Sequence, residues 1–260
     1  MRPVAPLALV VALALVGCSG SAPGTPVATV RPGTPSPSSP PATDPVQTPE
    51  SATGVARLPE FAPMDPGEYY VEPLFMYPAR YRVYYTVSGE GWISWFGAFK
   101  EARGRDQSVA VSILATRNLV THGCLDHAEQ DPPVGPGVED LAVALSELAP
   151  FEVVQPPTDV TVDGYTGRHL VLALPDLETE KIEGDHWFTA CEAGQVRSWI
   201  GSPLSYAFYG YSPGLIEEYW IVDVDGNRLM ISAIHHPDSP EKDVAEMRTL
   251  LDSIRIVDQN

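Results

Sequence analysis

Along most of the chain the apolar residues recur every second position, which predicts strands rather than helices. Residues 81–87 (Tyr-Arg-Val-Tyr-Tyr-Thr-Val) are aromatic and β-branched, and Ser88-Gly89-Glu90-Gly91 then breaks the run. Residues 92–99 and 109–115 predict two further strands. After the turn-rich segment 131–137 the period changes. Val138, Leu141, Leu145 and Leu148 fall on one helical face, with Glu139 and Asp140 in the first turn, where the helix dipole favours acids. Strands resume at 160–162, turn at Asp163-Gly164, and continue over 168–174. The acidic stretch 175–185 reads as a solvated loop, and 187–211 has no dominant period. A hairpin follows, with strands at 218–224 and 228–234 joined by Asp225-Gly226, a dipeptide suited to a two-residue turn. Ser239 is a natural N-cap with Pro240 at the first helical position. Val244, Met247, Leu250 and Leu251 form the apolar face of the final helix, and 254–257 predict a short closing strand.

The N-terminus follows different rules. Arg2 precedes an almost pure Leu/Val/Ala run over 7–16, too short to cross about 30 Å of hydrocarbon. The run ends in small residues, as signal-peptide cleavage requires. Leu15-Val16-Gly17-Cys18 resembles a bacterial lipobox. That resemblance implies acylation of Cys18 (diacylglycerol, with palmitate among the expected chains) and placement on the extracytoplasmic face of the cell membrane, lipid-anchored. One acyl chain holds only marginally, so stable anchoring requires two or more. Residues 19–58 are rich in Pro, Ser and Thr and cannot bury surface, which predicts a disordered tether whose extended limit is about 120 Å. The expected organisation is therefore a signal peptide over 1–18, a tether over 19–58 and a single globular domain over 59–257.

With Cys18 assigned to lipid, Cys124 and Cys191 are left as a pair in an oxidising compartment, and a disulfide is the expected state. Two buried free thiols or a metal site are the alternatives. The formal net charge of −18 argues against nucleic acid, because nothing here would neutralise a run of phosphates. It argues equally against electrostatic adhesion to anionic lipid.

The order of an early strand leading into Gly91-Trp92, Val162-Asp163-Gly164-Tyr165-Thr166-Gly167 opening a strand, a hairpin, a closing helix and Leu250-Leu251-Asp252-Ser253-Ile254 resembles the PsbP-like domains found in actinobacterial lipoproteins. The resemblance covers about residues 69–256. It implies an α+β fold, a curved antiparallel sheet flanked by helices in an α/β/α sandwich, and a role in binding or scaffolding rather than catalysis. The Cys pair and the long aromatic insertion between Pro175 and Leu215 depart from that pattern, and no family binding residue carries over.

Candidate chemistry is sparse. Gly210-Tyr211-Ser212-Pro213-Gly214 satisfies G-x-S-x-G, and Asp223 or Asp225 and His235 or His236 follow in hydrolase order. The nucleophile elbow, however, uses the N–H of the residue after the serine, and Pro213 has none. His122, Cys124 and His127 lie close together but lack a fourth metal ligand once Cys124 is paired. His235-His236 on a strand point to opposite faces, as do Glu217 and Glu218. Asp223 to Asn227 is a partial match to a calcium loop that an Asp-Gly turn explains. No catalytic residue, metal or cofactor is therefore assigned. The remaining signal is aromatic density. Trp199, Tyr206, Tyr209, Tyr211 and Trp220, with Phe208 and Tyr219 among them, exceed what one sheet face hides, which makes them the expected ligand-binding set. The expected partners are the membrane, through the lipid, and an envelope protein or small ligand. The leading expectation is a lipid-anchored binding or accessory domain without catalytic activity. An envelope hydrolase acting on glycan or ester substrates, or a structural spacer, is the alternative.

Overall fold

The computed structural model describes residues 54–259 apart from 75, 77, 102–104, 183–184, 202–206 and 210–211, and of 105 and 207–209 it describes the backbone alone. Strands predominate among these residues, and two α-helices, Val138–Ser146 and Glu241–Asp252, accompany them. The main sheet runs in the order Glu152–Val162, Tyr165–Ala173, Ile216–Val224, Asn227–His235, Val109–Leu114, Gly97–Lys100, Trp92–Ser94 and Pro63–Met64. Every pairing in it is antiparallel.

Both faces of this sheet are buried at its centre. On Ile216–Val224, Tyr219 and Ile221 enter one core while Val222 and Val224 enter the other. That is why the strand reads as a continuous apolar run rather than an alternating one. The first core is closed by Leu141 and Leu145 of the first helix together with Leu119, Trp199 and Ile200. The latter three lie on a small sheet ordered Ala207–Tyr209, Arg197–Ile200, Asn118–His122 and Asp126–Glu129. The second core is closed by Met247 and Leu250 of the second helix together with Tyr81, Val83, Tyr85 and Ile256. These belong to another small sheet, ordered Ala56–Arg57, Gly67–Val71, Tyr81–Val87 and Arg255–Asp258. Lys100 Nζ, 2.7 Å from both Asp243 Oδ1 and Glu246 Oε2, pins the second helix to the main sheet.

The expected α+β sandwich with helical outer layers is therefore incorrect. The fold is β-rich, with a second small sheet beside a single short helix over each face of the main one. The physical reason lies in the sequence: a 3.6-residue apolar period exists in two windows only, so strands must cover the rest. Strand 81–87 forms as expected but pairs in a flanking sheet, because pattern specifies a strand without specifying its neighbours. Three local expectations also change. The loop expected over 175–185 contains Thr179–Ile182, which pairs with Asp185–Phe188. The strand expected over 92–99 is split at Trp95-Phe96, where Gly97 lies so close to the Val111 carbonyl that a Cβ would sit 2.1 Å from its oxygen. Ser239 does not cap the final helix, since its Oγ accepts the His236 N–H and donates to Ser108 O, leaving Pro240 at the cap. Both Asp-Gly turns form as the sequence predicts, with Asp163 and Asp225 at positive φ.

Candidate functional site

The aromatic set singled out by the sequence is scattered. Trp199 is 2% exposed and belongs to the first core. Trp220 is half-buried, its ring 4.7 Å from that of His169. Tyr209 lies on the strand Ala207–Tyr209, opposite Arg197, but its side chain is not described. Tyr206 and Tyr211 lie outside the described residues, as do Cys18 and its lipobox. Cys124 and Cys191 form a disulfide that ties the turn after Asn118–His122 to the segment leading into Arg197–Ile200.

The rings that do reach solvent as a group are elsewhere. Phe61 is 54% exposed and Trp95 47%, and together with half-buried Phe96 they stack edge to face, with centroids 5.2 to 6.0 Å apart. The cluster sits at the edge of the main sheet. There Ala62 N–H donates to Ser94 Oγ and Ser94 N–H to Ala62 O, both at 2.9 Å. Phe61 and Phe96 have φ of 46° and 53°, a left-handed conformation that is uncommon for bulky side chains. The sequence signal was the Trp95-Phe96 pair next to Gly97, hidden inside an apparently unbroken strand.

A groove of about 460 Å³ lies between the first helix and the segment 130–135. Val134, Val143, Pro132 and Pro133 give it apolar surface, with Leu119 and Leu148 buried behind, and its charged lining is entirely acidic: Glu139, Asp140 and Glu147. Glu139 is paired with Arg168, and Asp140 accepts the Gly137 N–H at the start of the helix. Glu147, the exposed C-terminal cap, donates its N–H to Val143 O, but its carboxylate has no ion pair or hydrogen bond among the described residues, and the last turn carries no basic residue to offset the helix dipole. Gln130 Oε1, also at the groove, is buried without a donor among the described residues. The neighbouring Pro132 and Pro133 have no N–H to offer it, and such an orphan acceptor costs about 1–3 kcal/mol.

Other polar groups are committed to one another. Glu217 accepts from Ser232 Oγ at 2.6 Å on one face of its strand. On the opposite face Glu218 accepts from both terminal nitrogens of Arg248 and, at 3.4 Å, faces His169 Nε2. Burial alone would raise the Glu218 carboxyl, but the His169 and Arg248 hydrogen bonds and the guanidinium charge outweigh it and hold it at about 2. His122 Nδ1 accepts the N–H groups of Cys124 and Leu125, and His127 Nε2 contacts Gly123 O at 3.0 Å. Among the described residues no group of three or more His, Cys, Asp or Glu is placed to hold a metal. No described helix is long and apolar enough to cross a membrane.

Ser212 and His236 do come together: Oγ and Nε2 are 2.9 Å apart, and both residues are 4% exposed. Burial lowers the imidazole below the ordinary histidine value, which favours its neutral form. Asp106, whose charge His236 feels, is itself bonded to Lys181 and His186, each at 2.7 Å. No protein-family model matches this chain, and no curated protein matches it.

Proposed function

We propose that this protein is a lipid-anchored, extracytoplasmic binding or accessory domain, attached through Cys18 and presenting an aromatic surface to an envelope partner. The observation that carries this reading is the exposed cluster of Phe61, Trp95 and Phe96. Two contiguous exposed rings, backed by half-buried Phe96, waste burial that the core would otherwise gain, and contiguous exposed apolar groups mark interaction sites. Trp and Phe supply large contact area at small entropic cost, which suits them as anchors in a partner's pocket. The test is in-cell photo-crosslinking, with p-benzoylphenylalanine replacing Trp95 in the full chain. A discrete adduct at position 95, lost when Phe61 becomes Ser and absent with the photo-crosslinker at exposed Asp159, is expected. Equal adducts at both positions, or none, would overturn the reading. The anchor is tested separately: Cys18→Ala should abolish incorporation of labelled acyl chains.

The Ser212–His236 contact favours a second reading, an envelope hydrolase, in which Ser212 Oγ attacks an ester carbonyl as the imidazole takes its proton, the imidazolium returns that proton to the departing alcohol, and water then hydrolyses the acyl-serine. Pro213 weighs against it, because losing one oxyanion donor typically costs about 100- to 1000-fold in rate. Labelling by a fluorophosphonate that disappears in Ser212→Ala would establish it, and absence of labelling would remove it.

A further inference from the structure

We infer that the groove between the first helix and the segment 130–135 is a binding site for a peptide's basic side chain, a guanidinium or ammonium group carried on an apolar stem. This site is distinct from the aromatic cluster and stands independently of it. Four features converge on that chemistry. The walls are mixed, and Val143, at 42% exposure, with Val134, Pro132 and Pro133 gives a methylene stem a surface to cover, while Leu119 and Leu148 are buried behind it. The charged lining is acidic, and with Glu139 offset by Arg168 and Asp140 beside Arg228, Glu147 carries the charge that remains to attract a cation.

The polar groups left over in the groove are acceptors. The exposed Glu147 carboxylate has no partner among the described residues, and Gln130 Oε1 is buried without a donor. Finally, Glu147 sits where the helix ends, so the partial negative charge of the terminal carbonyls adds to its own. A carboxylate there is unfavourable for the helix by itself, and a bound cation relieves it. Glu139 and Asp140 are already engaged by Arg168 and the Gly137 N–H. Glu147 and Gln130 are therefore the pair that an incoming N–H donor would meet. Arginine and lysine side chains are acceptor-free donors on flexible stems and carry the positive charge that an alcohol lacks, whereas a carboxylate would meet only acceptors.

The test uses ¹⁵N-labelled full-length protein and three blocked dipeptides that differ in one side chain: acetyl-leucyl-arginine amide, acetyl-leucyl-norleucine amide and acetyl-leucyl-glutamate amide. The arginine probe should give saturable amide shifts confined to Val134, Gly135, Val143, Ala144 and their neighbours. The norleucine probe should bind about tenfold more weakly and the glutamate probe not at all. Glu147→Gln should weaken the arginine probe about tenfold. Val143→Lys, at an exposed helical position, should block it by supplying a tethered cation, while each variant keeps the remaining spectrum. No shifts, shifts elsewhere, equal responses to arginine and norleucine, or an unchanged affinity in Glu147→Gln would each overturn the assignment. A failure here leaves the Trp95 crosslink unaffected, and the converse also holds.

Discussion

Replacing Arg248 by Met leaves Glu218 in a pocket built for two charges. The Glu218 side chain is 8% exposed and lies on the strand Ile216–Val224, with Arg248 reaching it from the second helix. The gap between an ordinary glutamate and a carboxyl held at about 2 corresponds to about 3 kcal/mol in favour of the charged, folded form. Arg248 is itself 39% exposed, so water screens its share, and His169 keeps part of the interaction in the variant. About 2 kcal/mol of destabilisation is therefore expected near pH 7. The sign with pH follows from the direction of the shift. A carboxyl held below its unfolded value contributes fully above about pH 4.5, and that contribution is lost as pH falls towards about 2. Urea unfolding followed by tryptophan fluorescence should show the difference between wild type and Arg248→Met shrinking to less than about 1 kcal/mol by about pH 2.5. A loss of equal size at both pH values would refute the charge pairing and leave only the packing of the Arg248 methylenes.

Replacing Cys124 and Cys191 together by Ser should lower stability by up to about 4 kcal/mol, since the bridge spans 67 residues of chain. Native protein should meanwhile show no thiol reactive towards Ellman's reagent before reduction, apart from any Cys18 not consumed by acylation. Phe61→Gly should leave stability unchanged or raise it by about 1 kcal/mol, because glycine accepts φ of 46° freely and the ring it removes is mostly exposed. A loss above about 2 kcal/mol would show that the Phe61 ring is a structural contact.

Much of the main sheet was legible in the chain. The hairpin Ile216–Val224 and Asn227–His235 turns at Asp225-Gly226, and the strands around Asp163-Gly164 do likewise, because a type I′ turn demands residues that tolerate positive φ and the flanking β-branched runs leave one register. The helix from Val138 was equally plain from its period. What covers the sheet was not legible. Asn118–His122 and Arg197–Ile200 are short and pair across nearly 80 residues, so no local pattern records that they form a second layer. Aromatic density misled for a related reason. Trp199 sits on a strand in a segment broken by Gly and Pro, yet the small sheet holding it faces the main sheet directly, and its ring is core. The groove was illegible because Gln130, Pro133 and Glu147 carry no shared motif and meet only where the helix, packed on the main sheet, runs alongside residues 119–121.

Backbone strain separates the aromatic cluster from ordinary surface residues. Five described non-glycine residues have positive φ. Asp163 and Asp225 occupy Asp-Gly turns, where a short polar side chain is at home, and Ala193 lies in the turn beside the disulfide. Phe96 lies in the turn that joins Trp92–Ser94 to Gly97–Lys100, where the hairpin itself demands a positive φ, whereas Phe61 has no such turn. A left-handed conformation costs about 1–2 kcal/mol for an L-residue, and either position would be relieved by glycine or asparagine. The Phe61, Trp95 and Phe96 rings nonetheless form a compact triangle, each in edge-to-face contact with the other two. Stability alone would favour the smaller residues there, because the Phe61 ring remains more than half exposed and returns little burial for its strain. The strain kept at Phe61, beside an exposed tryptophan, is the feature that supports the proposed recognition surface, and folding alone supplies no return for it.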